Sequence, residues 1–184
     1  MNAASHVYAD LAICRVRDFE LTDAPSVARH VNDRRVSINL GDRVRYPYGL
    51  ADAEQFLSVV CAVEPRTVFA IEVDGEVVGC IGIELQQDIE RVSAKIGYWL
   101  GHAYRGRGIM PAAVSVVTRH AIERFGLSRV YAMVFARNVA SSRVLEKAGY
   151  VYEGRLRRSA IKEGEILDQL LYGYVDETAP GSAG

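Results

Sequence analysis

Apolar and polar positions along this chain switch between a period near two and a period near 3.6. Ala12 to Arg17 sets Ile13 and Arg15 against Cys14 and Val16, which suits a first strand, while residues 1–10 read as a loose lead-in. Thr22 or Asp23 can cap a helix with Pro25 in its first turn; it carries Val27, Ala28 and Val31 and ends near Asn32. Val36 to Arg45 is irregular. Tyr46-Pro47-Tyr48-Gly49 reads as a turn, because the residue before proline avoids the helical region. Asp52 then caps a second helix, with Ala53, Phe56, Leu57, Val60 and Cys61 at helical spacing, stopping before Pro65. Two strands follow, Thr67 to Val73 and Val77 to Leu85, joined by the tight-turn dipeptide Asp74-Gly75. Gln86 to Arg91 is a polar turn and Val92 to Leu100 a further strand. A helix from about Pro111 to Phe125 puts Val114, Val117, Ala121 and Phe125 on one face, and Gly126 ends it. Val130 to Ala136 is a short strand, and Asn138 to Ala148 a short helix closed by Gly149. Tyr150 to Ile161 and Glu165 to Val175 form a last antiparallel pair turning at Glu163-Gly164.

The order β-α-α-β-β-β-α-β-α-β-β predicts an α+β fold with a mixed, mainly antiparallel central sheet and helices on both faces. The strand–helix–strand unit from Val92 to Ala136 needs a crossover, so its two strands are expected to be parallel. At 184 residues the chain is expected to be a single domain, with a core over about 12–175 and a small polar tail, frayed, over 177–184.

Composition changes this picture mainly by exclusion. A net charge of −1 gives no global argument for nucleic acid or a membrane surface, so any anion site must be local. Cys14, Cys61 and Cys80 are odd in number and have no CxxC spacing; they read as reduced, packed thiols of a cytoplasmic protein. His30, His102 and His120 show no ligand spacing, so no metal site is expected. No stretch approaches the ~18 apolar residues of a membrane span, and the N-terminus has no apolar signal core.

One stretch carries chemistry. The strand ending at Leu100 runs into Arg105-Gly106-Arg107-Gly108 and then into a helix with Pro111 near its start. The first amides of a helix have no intrahelical partner, and the helix dipole adds partial positive charge there. Glycines remove Cβ atoms, so a phosphate can approach the backbone closely. The turn therefore reads as a cradle for a pyrophosphate.

Two separated motifs now carry a resemblance. Arg105-Gly106-Arg107-Gly108-Ile109-Met110 is similar to the Q/R-x-x-G-x-G/A motif of the GNAT superfamily of acetyl-CoA-dependent N-acetyltransferases. Asn138-Val139-Ala140-Ser141 with Leu145-Glu146-Lys147-Ala148-Gly149-Tyr150 resembles its N-x-x-S…L-E-K-x-G-F/Y. Ile96 to Leu100, Asp168 with Leu171-Tyr172, and Pro47-Tyr48 with Asp52-Ala53-Glu54 add support, and the match looks closest to the ribosomal-protein N-terminal acetyltransferase branch. The resemblance implies direct attack of a primary amine, from a protein N-terminus or a small molecule, on the thioester of acetyl-CoA as cosubstrate. It also implies a homodimer and a partner that is possible on the ribosome. Tyr98, Trp99 and Leu100 would contact the pantetheine arm and carbonyl. Arg107, Gly108 and Met110 would offer amides to the pyrophosphate beside Gly106 and Ile109, with charge from Arg105 and Arg107. Two departures stand out: Met110 replaces a small residue, and Leu145 stands where many members carry a tyrosine thought to protonate the departing thiolate.

Several positions keep two readings. Asn138 can cap its helix or bond the pantetheine arm. Ser141 can be a solvated first-turn serine or the proton donor to the thiolate, and Lys147 can complement the helix dipole or reach the nucleotide. For the base, Glu84 lies in an apolar run where burial would raise its pKa, or else faces solvent at a strand end; Asp168 on the final pair is the other candidate. Cys80 reads as a strand core residue rather than a nucleophile. The rival in function is a non-catalytic acyl-CoA-binding sensor on the same fold.

Overall fold

The computed structural model describes residues 6–177; residues 1–5 of the expected lead-in and 178–184 of the expected frayed tail lie outside the described residues. By contact the chain, expected as a single domain, groups into two compact units, Met1–Gly82 with Tyr98–Ala113, and Ile83–Gly97 with Val114–Gly184. The fold is α+β, with eight strands and five α-helices among the described residues.

The first unit holds β1 (Val7–Leu11), β2 (Cys14–Asp18), α1 (Ala24–Val31), α2 (Arg34–Ser37), α3 (Leu50–Val60), β3 (Val68–Val73) and most of β4 (Glu76–Leu85). β1 to β4 pair antiparallel in sequence order up to Gly82. β1 corrects the expected lead-in: it is an edge strand paired through Leu11 with Cys14, and its residues are exposed or half-buried on both faces, so it shows no alternation. Asp74 and Gly75 both take positive φ, 51° and 78°, as a two-residue hairpin turn of the primed kind requires. α1 buries Ala24, Val27 and Val31 at helical spacing. α3 begins two residues before the expected cap: Gly49 is the cap, and its N–H donates to Asp52 Oδ2 at 2.8 Å from within the first turn. Both helices pack with Phe19, Tyr48, Ala70 and Val77, and Phe56 meets Phe19 edge-on at 5.6 Å. The stretch from Val36 to Arg45, expected to be irregular, contains part of α2, capped by Asp33, which accepts from Arg35 N–H at 2.8 Å.

The second unit holds most of β5 (Ser93–Leu100) and of α4 (Ile109–Phe125), then β6 (Arg129–Phe135), α5 (Val139–Lys147), β7 (Val151–Lys162) and β8 (Glu165–Val175). β5 and β6 are parallel, as the crossover demands; β8 lies between β6 and β7 and pairs antiparallel with both. α4 buries Val114, Val117, Thr118 and Ala121, a stripe facing the interior of this unit. α4 starts at Ile109, so Pro111 is its third residue, where the missing N–H still costs no helical bond. Gly126 and Gly149 follow α4 and α5 with φ of 63° and 88°, which glycine adopts without strain. The Thr118 and Tyr150 hydroxyls are 2.6 Å apart, both buried, and fix the exit of α5 against α4.

Candidate active site

The Gly/Arg turn is a backbone device. Gly106 and Gly108 both take positive φ, 80° and 79°, so a side chain at either would strain the turn. Among the described residues, the amides of Gly106, Arg107, Gly108, Ile109 and Met110 donate to no protein acceptor; the next amide, of Ala112, returns to the Gly108 carbonyl at 3.3 Å. A run of free N–H groups at the N-terminus of a 17-residue helix suits an anion. The side chains of Ile109 and Met110 are buried, so these two residues present backbone there and not side chain.

The two arginines of the turn differ. Arg107 is exposed, and its guanidinium lies 5.2 Å from the centroid of the Tyr104 ring. Arg105 is committed elsewhere: its Nη2 donates to the Arg35 carbonyl of α2 at 2.9 Å, and burial pulls its pKa below that of a free arginine. The expectation that Arg105 adds free charge at the turn is thus weakened, and Arg107 is the better placed of the pair.

The parallel register covers Ser93–Lys95 and Arg129–Tyr131, while β5 continues to Leu100. Within the first unit, Gly79 of β4 approaches this end of β5 so closely that a Cβ would lie 2.8 Å from the Trp99 carbonyl oxygen. Trp99 packs against the hydrophobic core of that unit and Leu100 is buried, so these two offer main chain more than side chain.

In the second unit Asn138 is the cap of α5: its side-chain oxygen accepts from Ser141 N–H at 3.3 Å, and its backbone carbonyl accepts from the same N–H at 3.0 Å. Ser141 is half-buried in the first turn and Lys147 is exposed in the last. Leu145 is fully buried. The two base candidates separate clearly. Glu84 is exposed, which selects the solvent-facing reading over the buried one: strand alternation puts Ile81 and Ile83 inside and Glu84 on the other face. Its carboxylate has no hydrogen-bond partner among the described residues. Asp168 accepts from Arg158 N–H at 2.7 Å and from Arg155 Nε at 2.6 Å, and these contacts hold its carboxyl below the usual carboxylate range. A carboxylate so held is a poor proton acceptor.

Burial pushes the Cys80 thiol up to about 12, which agrees with a packing role. Among the described residues no group of His, Cys, Asp and Glu is arranged to hold a metal ion, and no helix is long and apolar enough to cross a membrane. Sequence reasoning missed Tyr104 and the residues behind it, His30 and Glu76; they lie far apart in the chain and follow no motif.

Residues 14–151 match the acetyltransferase (GNAT) domain family. Probable N-acetyltransferase YjcK of Bacillus subtilis strain 168 is 46% identical over 67 residues, 36% of this chain and 37% of that protein. YdaF of the same organism is 31% identical over 102 residues, 55% of each protein, so the matched stretches span about half or less of these curated relatives. The solved structure of Mycobacterium smegmatis RimJ in complex with CoA-disulfide is similar with a TM-score of 0.79 at 27% identity, covering 96% of this chain and 87% of that one.

Proposed function

Because the chain belongs to the acetyltransferase (GNAT) domain family, we propose that it is an acetyl-CoA-dependent N-acetyltransferase acting on a primary amine in the cytoplasm. The observation that carries this reading is the run of free amides from Gly106 to Met110 at the start of α4. That cradle suits a pyrophosphate, and the RimJ relative is a CoA complex. Arg107 adds charge beside the cradle. Asn138 is the proposed donor, through its carboxamide N–H, to the pantetheine arm, and Lys147 the proposed contact to the nucleotide. The backbone of Tyr98 to Leu100 polarises the acyl carbonyl, its donors aimed at the oxygen where negative charge develops.

The neutral amine attacks that carbonyl, a C–N bond forms, the C–S bond breaks, and the thiolate leaves with the electron pair. One proton leaves the nitrogen, for which Glu84, exposed and free of partners, is a better acceptor than Asp168. Ser141 is the proposed donor to the thiolate, and the proton lost by the amine is returned to it through solvent. The acceptor is the amine of a protein N-terminus or of a small molecule. Leu145, fully buried and apolar, favours the second reading, a sensor that binds acyl-CoA without transfer.

The test is acetyl-CoA turnover with a panel of peptides bearing free N-termini and of small amines, alongside CoA titration. Turnover with any acceptor supports the enzyme. CoA binding without turnover across the panel selects the sensor, and absence of both refutes the cradle as a CoA site.

A further inference from the structure

Four side chains from three separate stretches of the chain converge behind the Gly/Arg turn, all within the first unit. His30 of α1 places Nε2 2.9 Å from Glu76 Oε1 at the start of β4. Arg29 Nη1 donates to the same oxygen at 2.7 Å. The other carboxylate oxygen accepts from the Tyr104 hydroxyl at 3.4 Å. The His30 ring meets the Tyr104 ring edge-on, with centroids 5.5 Å apart. Tyr104 closes a single 3₁₀ turn, His102–Tyr104, that leads straight into the Gly/Arg turn. The start of that 3₁₀ turn is fixed as well: Gly101 N–H donates to the Val78 carbonyl at 2.8 Å, and a Cβ on Gly101 would stand 2.7 Å from His30 Nδ1. His30 and Glu76 therefore brace both ends of the segment that presents Tyr104.

The outer consequence is at Arg107. Its guanidinium rests over the Tyr104 ring and makes no ion pair among the described residues. A long arginine side chain loses rotamer freedom when it binds a phosphate. One already held over an aromatic face loses less, and an aromatic contact leaves the guanidinium N–H groups free to donate. We propose that Tyr104, braced by His30 and Glu76, is a positioning residue that pre-orients Arg107 toward the pyrophosphate of coenzyme A. This rests on the reading of the turn as a CoA site. It assigns roles to Tyr104, His30 and Glu76 that no motif of the chain carries.

The experiment is calorimetric titration of CoA into the full chain and into Y104L, Y104F, E76Q, R107A and Y104L/R107A, with acetyl-CoA kinetics on the same proteins. Y104L keeps bulk but removes the aromatic face. It is expected to weaken CoA binding about two- to fivefold, the range of an exposed cation–π contact. KM for acetyl-CoA rises by the same factor and kcat stays unchanged. Y104F, which keeps the ring, binds more tightly than Y104L, and E76Q falls between Y104F and Y104L. The double variant binds no worse than R107A alone, because Tyr104 acts through Arg107. A thermal melt of each variant separates misfolding from lost orientation. Y104L binding CoA as tightly as the natural chain overturns the proposal, as does a double variant whose losses add in full. Failure of the natural chain itself to bind CoA overturns the reading of the turn as well, and is distinguished by appearing before any substitution is made.

Discussion

Replacing Asn138 by alanine, serine or aspartate separates helix capping from cofactor contact, because the two roles use different atoms of one carboxamide. The oxygen accepts from Ser141 N–H at 3.3 Å, while the nitrogen donates to no group among the described residues. Alanine removes both atoms. Serine and aspartate keep a cap acceptor but have no amide N–H to donate. Losing an asparagine cap costs about 1 kcal/mol in general. Here the bond is long, and the same Ser141 N–H also reaches the Asn138 carbonyl at 3.0 Å, so the amide is not orphaned. We therefore expect the low end, about 0.5–1 kcal/mol, for N138A, or about 1–4 °C in Tm for a chain of this size. N138S and N138D should melt within about 1 °C of the natural protein. If the carboxamide also donates to the pantetheine arm, losing one neutral hydrogen bond of about 0.5–1.5 kcal/mol weakens CoA about two- to twelvefold. That loss appears in N138S as in N138A, and is larger in N138D, whose charge opposes the phosphates. Differential scanning fluorimetry and CoA titration on the same samples give both numbers. The reasoning is refuted by N138S binding CoA like the natural chain; Asn138 is then a cap and nothing more.

Two further outcomes concern stability. Y150F strips the Thr118 hydroxyl, 2% exposed, of its 2.6 Å partner and should cost about 1–3 kcal/mol in urea unfolding. Adding T118V to Y150F should cost less than the sum of the single changes, since no buried hydroxyl is then left orphaned; additive costs would show that the two groups are not coupled. At Asp168, the Arg158 N–H and then the Arg155 guanidinium favour the charged form, so the folded pKa is depressed. The associated stabilisation is present above the ordinary carboxylate range and is lost as pH falls through the folded value. Protection of the Arg158 amide against hydrogen exchange should therefore fall on acidification below about pH 4, and D168N should show that weaker protection already at neutral pH. An Arg158 amide whose protection is the same in both proteins would remove Asp168 from the account of the β7–β8 hairpin.

What the sequence carried about this molecule is what short segments can specify by themselves. The hairpins at Asp74-Gly75 and Glu163-Gly164 were legible because each dipeptide must take positive φ between two apolar runs, and both do. β1 was not legible, since an edge strand with no fully buried face writes no alternation. The start of α3 was misplaced by three residues, Ala53 for Leu50, because an acid can serve a helix start either as the cap or from inside the first turn; Asp52 does the second, accepting from the Gly49 N–H. Of the two readings of Glu84, the solvent-facing one was legible, because Ile81 and Ile83 on one face leave it no place but the other. The same distinction runs through the candidate site. An anion cradle made of main chain is contiguous, so Gly106 to Met110 announce it in a single stretch. Side chains that orient its charge are recruited from wherever the fold brings them: Glu76 lies 46 residues from His30 and 28 from Tyr104, and nothing periodic joins them. The part of the site that grips phosphate is therefore local and readable. The part that sets the angle of the grip exists only in three dimensions, and substitutions such as Y104L will expose it where motif residues cannot.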